Sequence, residues 1–522
     1  MKPEELSQPL RSAMKSDGID IARSLEILQK LNDGAYDSVK PIDAAGVPTV
    51  DGRTIIDRTT PAELTLSLDD ATQRLEDLLP GTPIWDVATV AGSECRFSET
   101  QLYWIGMRLL PATSYGVLNG GSATSYADEK KNRGFSEPLF NLVRDDFDRL
   151  AELSRGRAKG LTPAYINPDG SPGASFLELK MRNLLVWALR YQKAYGRPAS
   201  GPLPLFPAFQ MTSVYNNEEV AAAYDEYRRS PLLAPLIAEC GIDITRVETG
   251  VQEMLSAFTH SSEGTPRRIF DRAYGKENTP LPLPGGHGQN FTVLSSVYRS
   301  LAALGKRFVY LGNVDNLGFT PDPVSIALLA LSGKQAAFDF SFRTPVDVKG
   351  GILVRERSGG LACADIGPAI SPEAVFEAEE RGTPILFNCA SGLFRLDYLV
   401  ANLDRITEDL PMRISDQDKD AGRYAQAEQV TWEIIAMLDD FLVFGVDKYR
   451  RFLAAKMLLE GIMTSGRRLD SSSYPTNEDP AKDLRATAQK LHGGLTRALR
   501  EEFAMDERDG RRQPRDPRDI AP

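Results

Sequence analysis

From about Ser114 onward, short apolar runs closed by turns alternate with longer stretches of helical period. That alternation predicts a largely parallel sheet with helices packed against it. Candidate strands lie at 115–118, 205–211, 308–311, 337–342, 352–354 and 385–387, with helical patterns at 176–195, 293–304 and 323–331 among them. Residues 1 to about 105 read mostly as helices with Pro and Gly breaks, such as 19–31 and 66–79. After residue 412 the pattern reads as helical again, strongest over 427–444 and 448–459. A loop is expected at 469–479 and, from its Arg, Asp and Pro content, a disordered tail at 506–522. The expectation is an α/β fold on a mixed, mainly parallel sheet. Its regions are 1–110 (helical), 111–410 (the sheet), 411–505 (helical) and 506–522 (the tail).

Composition narrows the classes of function. At 522 residues the chain can bury a sizeable core and hold two or three units. Its formal net charge of -11 argues against a nucleic-acid backbone as partner, without excluding a local basic pocket for phosphates. No apolar run is long enough to span a bilayer, and Met1-Lys2-Pro3-Glu4-Glu5 lacks an apolar signal core, so a cytoplasmic protein with no membrane partner is expected. Four cysteines (Cys95, Cys240, Cys363, Cys389) show no CxxC spacing, which points to neither a disulfide framework nor a zinc site. Only three histidines occur: His260, His287 and His492. That scarcity directs attention to chemistry done by positioning and charge neutralisation.

Two turns that follow apolar strands carry most of the candidate chemistry. Asn119-Gly120-Gly121-Ser122-Ala123-Thr124 opens straight after a strand, where glycines let backbone amides approach a base or phosphate. It is neither GxGxxG nor a Walker loop, and by itself it reads more readily as an ordinary Asn-Gly turn. Asp315, in Gly312-Asn313-Val314-Asp315-Asn316, follows the strand at 308–311. An acid there faces the ligand crevice of an open α/β sheet and can hold Mg²⁺ between phosphates, or can simply cap the strand. Asp347-Val348-Lys349-Gly350-Gly351 is a second such turn. Gly285-Gly286-His287-Gly288 precedes a helix whose first amides suit an anion or a planar base, with His287 read as part of the backbone geometry. Lys159 precedes Gly160 and an apolar stretch, whereas Lys456 is read on an otherwise apolar helix face, where an unpaired ammonium is costly. Each is otherwise a snorkelling surface lysine.

Taken in order, these residues resemble the UTP-dependent sugar-1-phosphate uridylyltransferases: UTP–glucose-1-phosphate uridylyltransferase and the UDP-N-acetylhexosamine pyrophosphorylases. The resemblance runs from about Tyr115 to Leu459. Leu118 to Thr124 is similar to the LxGGxGT nucleotide loop, with Ala123 in place of a glycine. Lys159-Gly160, then Ser171-Pro172 and Phe176-Leu177, resembles PKG…LPS…TLF. Met211-Thr212-Ser213 is similar to the MTS strand end, Gln252 to the uracil-contacting glutamine, and Gly286-His287-Gly288 to the GHG turn. Asn313-Val314-Asp315-Asn316 resembles the VDN metal motif, and Asp347 to Gly351 the DVKGG of the glucose-1-phosphate branch. Asp365 stands at a sugar-contacting glutamate, Phe387-Asn388 at the FN sugar motif, and Val446 to Lys456 resembles VxRxRFxPVK. The departures are an insertion of some thirty residues (125–158) before Lys159, Ser391 at the second sugar asparagine, and the shortened acid at Asp365.

The resemblance implies a Rossmann-like sheet of the nucleotide-diphospho-sugar transferase type and an enzyme forming UDP-sugar and pyrophosphate, with 111–410 as its catalytic domain. UTP and a sugar-1-phosphate, glucose-1-phosphate first, are the implied partners and Mg²⁺ the cofactor. It assigns catalysis to Lys159, Lys456 and Asp315, with Asp315 also the metal ligand. It assigns the nucleotide to Asn119, Gly120, Gly121, Thr124, Gln252, Gly286, His287 and Gly288, and the sugar to Gly351, Asp365 and Asn388. Alternatives are a UDP-N-acetylhexosamine pyrophosphorylase, a nucleotide-sugar glycosyltransferase, and a non-catalytic UDP-sugar-binding protein. A glycosyltransferase needs no lysine pair aimed at a leaving pyrophosphate, which favours the first reading. The oligomeric state is left open.

Overall fold

The computed structural model describes the chain except residues 1–5, 37–41, 124–125, 199–202, 345–346, 348–349 and 480–482. Its central sheet runs in the order Ile55–Asp57, Phe441–Val446, Ala336–Phe342, Leu386–Arg395, Phe308–Asn313, Thr113–Leu118, Leu205–Ser213 and Val247–Gln252. All neighbouring pairs are parallel except those made by Leu386–Arg395, which is antiparallel to both of its neighbours. A side branch, Gly351–Glu356 with Leu361–Asp365, joins through Ile352 opposite Phe387. The inner strands are buried on both faces, which is why they read as unbroken apolar runs. Helices cover both faces; Phe176–Tyr195 and Pro323–Ser332 fall where the periodicity places them. Among the described residues, no helix is long and apolar enough to cross a membrane.

All six predicted strands form. Three expectations fail beyond residue 410. The span 427–444 is no helix: Met412–Lys419 and Gly422–Gln429 make an antiparallel hairpin, Thr431–Met437 a 3-10 turn, and Phe441–Val446 a strand at the heart of the sheet. Cross-strand pairing overrides the helix-forming Ala, Glu and Gln residues there, and Phe-Leu-Val-Phe-Gly-Val is a fully buried strand run. The span 448–459 breaks into a short helix, Lys448–Arg451, an extended stretch, and a helix from Leu458. The third failure is the tail, which is ordered. Met505–Arg508 pairs with Arg511–Pro514, and Ile520 is buried.

The helix Phe176–Tyr195 explains that order. Arg182 donates to the carbonyls of Phe503 (2.5 Å) and Ala504 (2.8 Å), and Asn183 to that of Glu502 (2.8 Å). Lys193 donates to those of Pro517, Arg518 and Ile520 at 2.7–3.0 Å. In the amino-terminal region the helices Ile21–Asn32 and Leu68–Leu78 form close to expectation. Ile55–Asp57 joins the central sheet, and Glu63–Ser67, Glu94–Ser98 and Thr89–Ala91 make a small sheet of their own.

Candidate active site

The carboxyl ends of adjacent strands bring the two turns together. Asn119 is buried, donates its N–H to the carbonyl of Met211 (2.8 Å), and accepts at its own carbonyl from the Asn216 side chain (2.8 Å). Its Oδ1 is buried without a partner among the described residues, beside Gly160, where an added Cβ would lie 2.3 Å from it. A side chain at residue 160 would push the Asn119 amide out of its place. The Gly121 carbonyl accepts the Lys159 N–H at 3.0 Å, so the loop and its lysine are stitched together across the insertion. Thr124 lies outside the described residues.

Asp315 sits just past Phe308–Asn313 with its side chain mostly buried, and ion-pairs with Lys159. The same ammonium donates to the carbonyl of Ala455 at 2.9 Å and lies over the Tyr126 ring, 5.1 Å from its centroid. Lys456 follows directly. It is not on a helix face as expected: the Glu460 carboxylate accepts the N–H groups of Lys456 (2.7 Å) and Met457 (3.1 Å), interrupting the helix. Its side chain is exposed, with the ammonium 5.7 Å from the Phe387 ring centroid.

Gln252 is buried and its Nε2 donates to the Gly286 carbonyl and to Gln289 Oε1, both at 2.9 Å. Its Oε1 lies 3.6 Å from where a Cβ on Gly120 would stand, so the first turn and the Gly-His-Gly turn meet across this side chain. Gly286 has φ +84°, and a Cβ on it or on Gly288 would collide with the backbone of Gln429. His287 Nδ1 accepts the Thr431 N–H (3.1 Å), which leaves the ring proton on Nε2 in the neutral form. Burial pushes this histidine down to about 4, with Asp315 acting against the shift and Lys456 adding to it.

At the other end, Gly351 pairs with Asp365 across two antiparallel strands, and Asn388 donates to the Cys363 thiol at 3.4 Å. Asp365 is exposed. Asp347 forms a buried pair with Lys448 (2.5 Å), and its neighbours Val348 and Lys349 lie outside the described residues. Ser391 is buried and donates to Asp339 (3.2 Å), which also pairs with Arg451 at 2.9 Å.

Lys180 escaped the sequence reading. Fully buried on Phe176–Tyr195, it donates to the carbonyls of Asn316 and Phe319 (2.6 Å to the latter), clamping the chain just after Asp315. Burial drives its pKa well below the usual lysine range. The signal was present: Lys180 falls four residues after Phe176 and three after Leu177, on the buried stripe.

Residues 266–485 match the family model described as UTP--glucose-1-phosphate uridylyltransferase. A probable UTP--glucose-1-phosphate uridylyltransferase of Schizosaccharomyces pombe is 25% identical over 242 residues, 45% of this chain and 42% of the relative. A second of the same description is 26% identical over 229 residues, 42% of this chain and 39% of the relative. The chain thus matches about two fifths of the length of these curated relatives. The fold agrees more broadly. The UDP-N-acetylglucosamine pyrophosphorylase of Trypanosoma brucei superposes with a TM-score of 0.58 at 17% identity, covering 94% of this chain and 80% of that one. The UDP-glucose pyrophosphorylase of Leishmania major gives 0.53 at 16%, over 91% and 81%. Residues 266–485 are thus similar to the UTP--glucose-1-phosphate uridylyltransferase family, and over nearly its whole length the chain shares the fold of these solved pyrophosphorylases.

Proposed function

We propose that the protein transfers the uridylyl group of UTP to a sugar-1-phosphate and releases pyrophosphate, with glucose-1-phosphate the first candidate sugar. A phosphate oxygen of the sugar-1-phosphate bonds to the α-phosphorus as the α–β bridging P–O bond breaks. That oxygen is already ionised at neutral pH, since a phosphate monoester has its second pKa at about 6, so no side chain needs to remove a proton. Alignment and positive charge are what the chain must supply.

One observation carries the reading: the Lys159 ammonium reaches both Asp315 and the carbonyl preceding Lys456, so the segments that carry these three charged residues meet beside the Asn119–Gly121 turn. In this reading Gln252 and the amides near Gly120 and Gly286 take the uracil edge, and the two lysines take the phosphates. Asn388, Gly351 and Asp365 face the sugar. Asp315 would hold Mg²⁺, a hard cation that carboxylate and phosphate oxygens both favour. The donor fits: Asp315 offers one hard carboxylate at the strand end, beside the Lys159 ammonium. Bound there, Mg²⁺ would neutralise charge on the transferring and leaving phosphates. All four cysteines are free and buried, in keeping with the cytoplasmic setting proposed with this activity.

A second reading, a UDP-N-acetylhexosamine pyrophosphorylase, draws support from the better overlay on the Trypanosoma enzyme and from the departures at two sugar positions, Asp365 and Ser391. The test mixes protein, UTP and Mg²⁺ with a panel of sugar-1-phosphates that includes N-acetylglucosamine-1-phosphate, and measures pyrophosphate. No release with any member removes the proposal, and preference for an N-acetylhexosamine selects the second reading.

A further inference from the structure

The insertion before Lys159 makes contacts a spacer would not. Its described part carries three helices, Glu129–Phe135, Glu137–Leu142 and Arg144–Ser154. At its start the buried Tyr126 lays its ring against the Lys159 ammonium, a cation–π contact. The carbonyl of the same residue accepts the N–H of Leu458 at 3.0 Å, two residues beyond Lys456. Asn132, fully buried, joins these ends. Its Nδ2 donates to the carbonyls of Tyr126 (3.0 Å) and Asp128 (2.7 Å), and its Oδ1 accepts the N–H of Leu459 at 2.8 Å. At the far end of the insertion Asp146 binds Arg467 at 2.8 Å, holding the chain as it leaves the helix Leu458–Thr464. The backbone of Lys456 is thereby fixed through Leu458, Leu459 and Glu460, while its side chain stays exposed.

We propose that the insertion is a positioning device. Tyr126 and Asn132 tie Lys159 and Lys456 into one rigid unit, so that both ammonium groups meet the phosphates at a set separation. The inference rests on the uridylyltransferase reading above. Neither residue is placed against a phosphate; both act through the lysines.

The test measures pyrophosphate release from UTP and an accepted sugar-1-phosphate by Asn132→Ala, Tyr126→Phe and Tyr126→Leu, with a melting curve for each. Asn132→Ala is also made in a Lys456→Ala background, and Tyr126→Leu in a Lys159→Ala background. Asn132→Ala should lower kcat by on the order of ten- to a hundredfold with KM for UTP little changed, the scale expected of a small misplacement. It should cost almost nothing further once Lys456 is gone, because residues acting as a unit are not additive. Tyr126→Phe, which keeps the ring, should stay near wild type, and Tyr126→Leu should not. Equal losses in both backgrounds, or unchanged kcat in folded single variants, overturn the proposal while leaving the reaction intact. If the wild type releases no pyrophosphate, the reading of the reaction has failed and the proposal falls with it. Should Asn132→Ala not fold, the Tyr126→Leu and Lys159→Ala pair decides alone.

Discussion

The two ends of the crevice are built differently. At the end assigned to the base, Gln252 is bonded to both Gly286 and Gln289, and the flanking glycines pack so tightly on Gln429 that no Cβ fits. At the end assigned to the sugar, Asp365 is exposed, Asn388 has a thiol and the Ala390 N–H for partners among the described residues, and Ala390 itself holds φ +51°. Such a conformation costs a non-glycine residue about 1 kcal/mol or more. A site of interlocked polar groups rejects a wrong ligand strongly, because mismatch leaves buried donors unpaired. An open end with a solvated carboxylate discriminates less. The nucleotide should therefore be held to one identity more strictly than the sugar.

The largest effect lies between the two ends. Asp315→Ala should reduce turnover by ~10³-fold or more while the protein stays folded; near wild-type rates at limiting Mg²⁺ would remove the metal assignment. Next come Lys159→Ala and Lys456→Ala, each expected to lower kcat/KM by roughly 10²- to 10³-fold. Lys130→Ala is the exposed control, and a swap of behaviour between Lys130 and Lys159 would move the phosphate lysine into the insertion. Gln252→Ala sharpens the comparison: the preference for UTP over ATP should fall by about tenfold or more before phosphate binding weakens. Equal turnover of ATP by the wild type would break it. Asp365→Asn, at the open end, should raise KM for the sugar-1-phosphate less than about tenfold and leave nucleotide preference alone.

The smallest effect is on stability. The His287 ring titrates at about 4 in the folded protein against 6.5 for a free histidine. Between those values the native state binds fewer protons than the unfolded chain. Its contribution is therefore complete above pH 6.5 and is lost as pH falls toward 4, as much as ~3 kcal/mol. His287→Asn should flatten that part of the stability profile relative to wild type in denaturant titrations from pH 7 to 4. An unchanged slope would show the ring to be solvated.

The strands and both turns were legible because a buried parallel strand reads as an apolar run and the turn after it has a stereotyped residue pattern. Residues whose role comes from distant partners were not. Lys180 looks like any helical lysine until the chain folds Asn316 and Phe319 over it. Lys456 looks helical until Glu460 turns back on its N–H. Phe441–Val446 was lost to the helix-forming residues before it, although its own six positions are as apolar as any strand in the sheet. Asn388 accepts the Ala390 N–H at a left-handed bend that its sequence does not announce.

The carboxyl-terminal segment has an evolutionary consequence. The helix Phe176–Tyr195 grips residues 502–520 chiefly by their carbonyl oxygens, a group that every amino acid carries. Recognition of that kind is blind to side-chain identity. The exposed positions of the segment can drift in sequence and still dock so long as its length and path are kept, while Phe503, Ala504, Met505 and Ile520 are held apolar by their burial in the core. Among homologues, the exposed positions there should be rich in substitutions and poor in insertions, with the constraint recorded at Arg182, Asn183 and Lys193 and at the segment's few buried apolar residues.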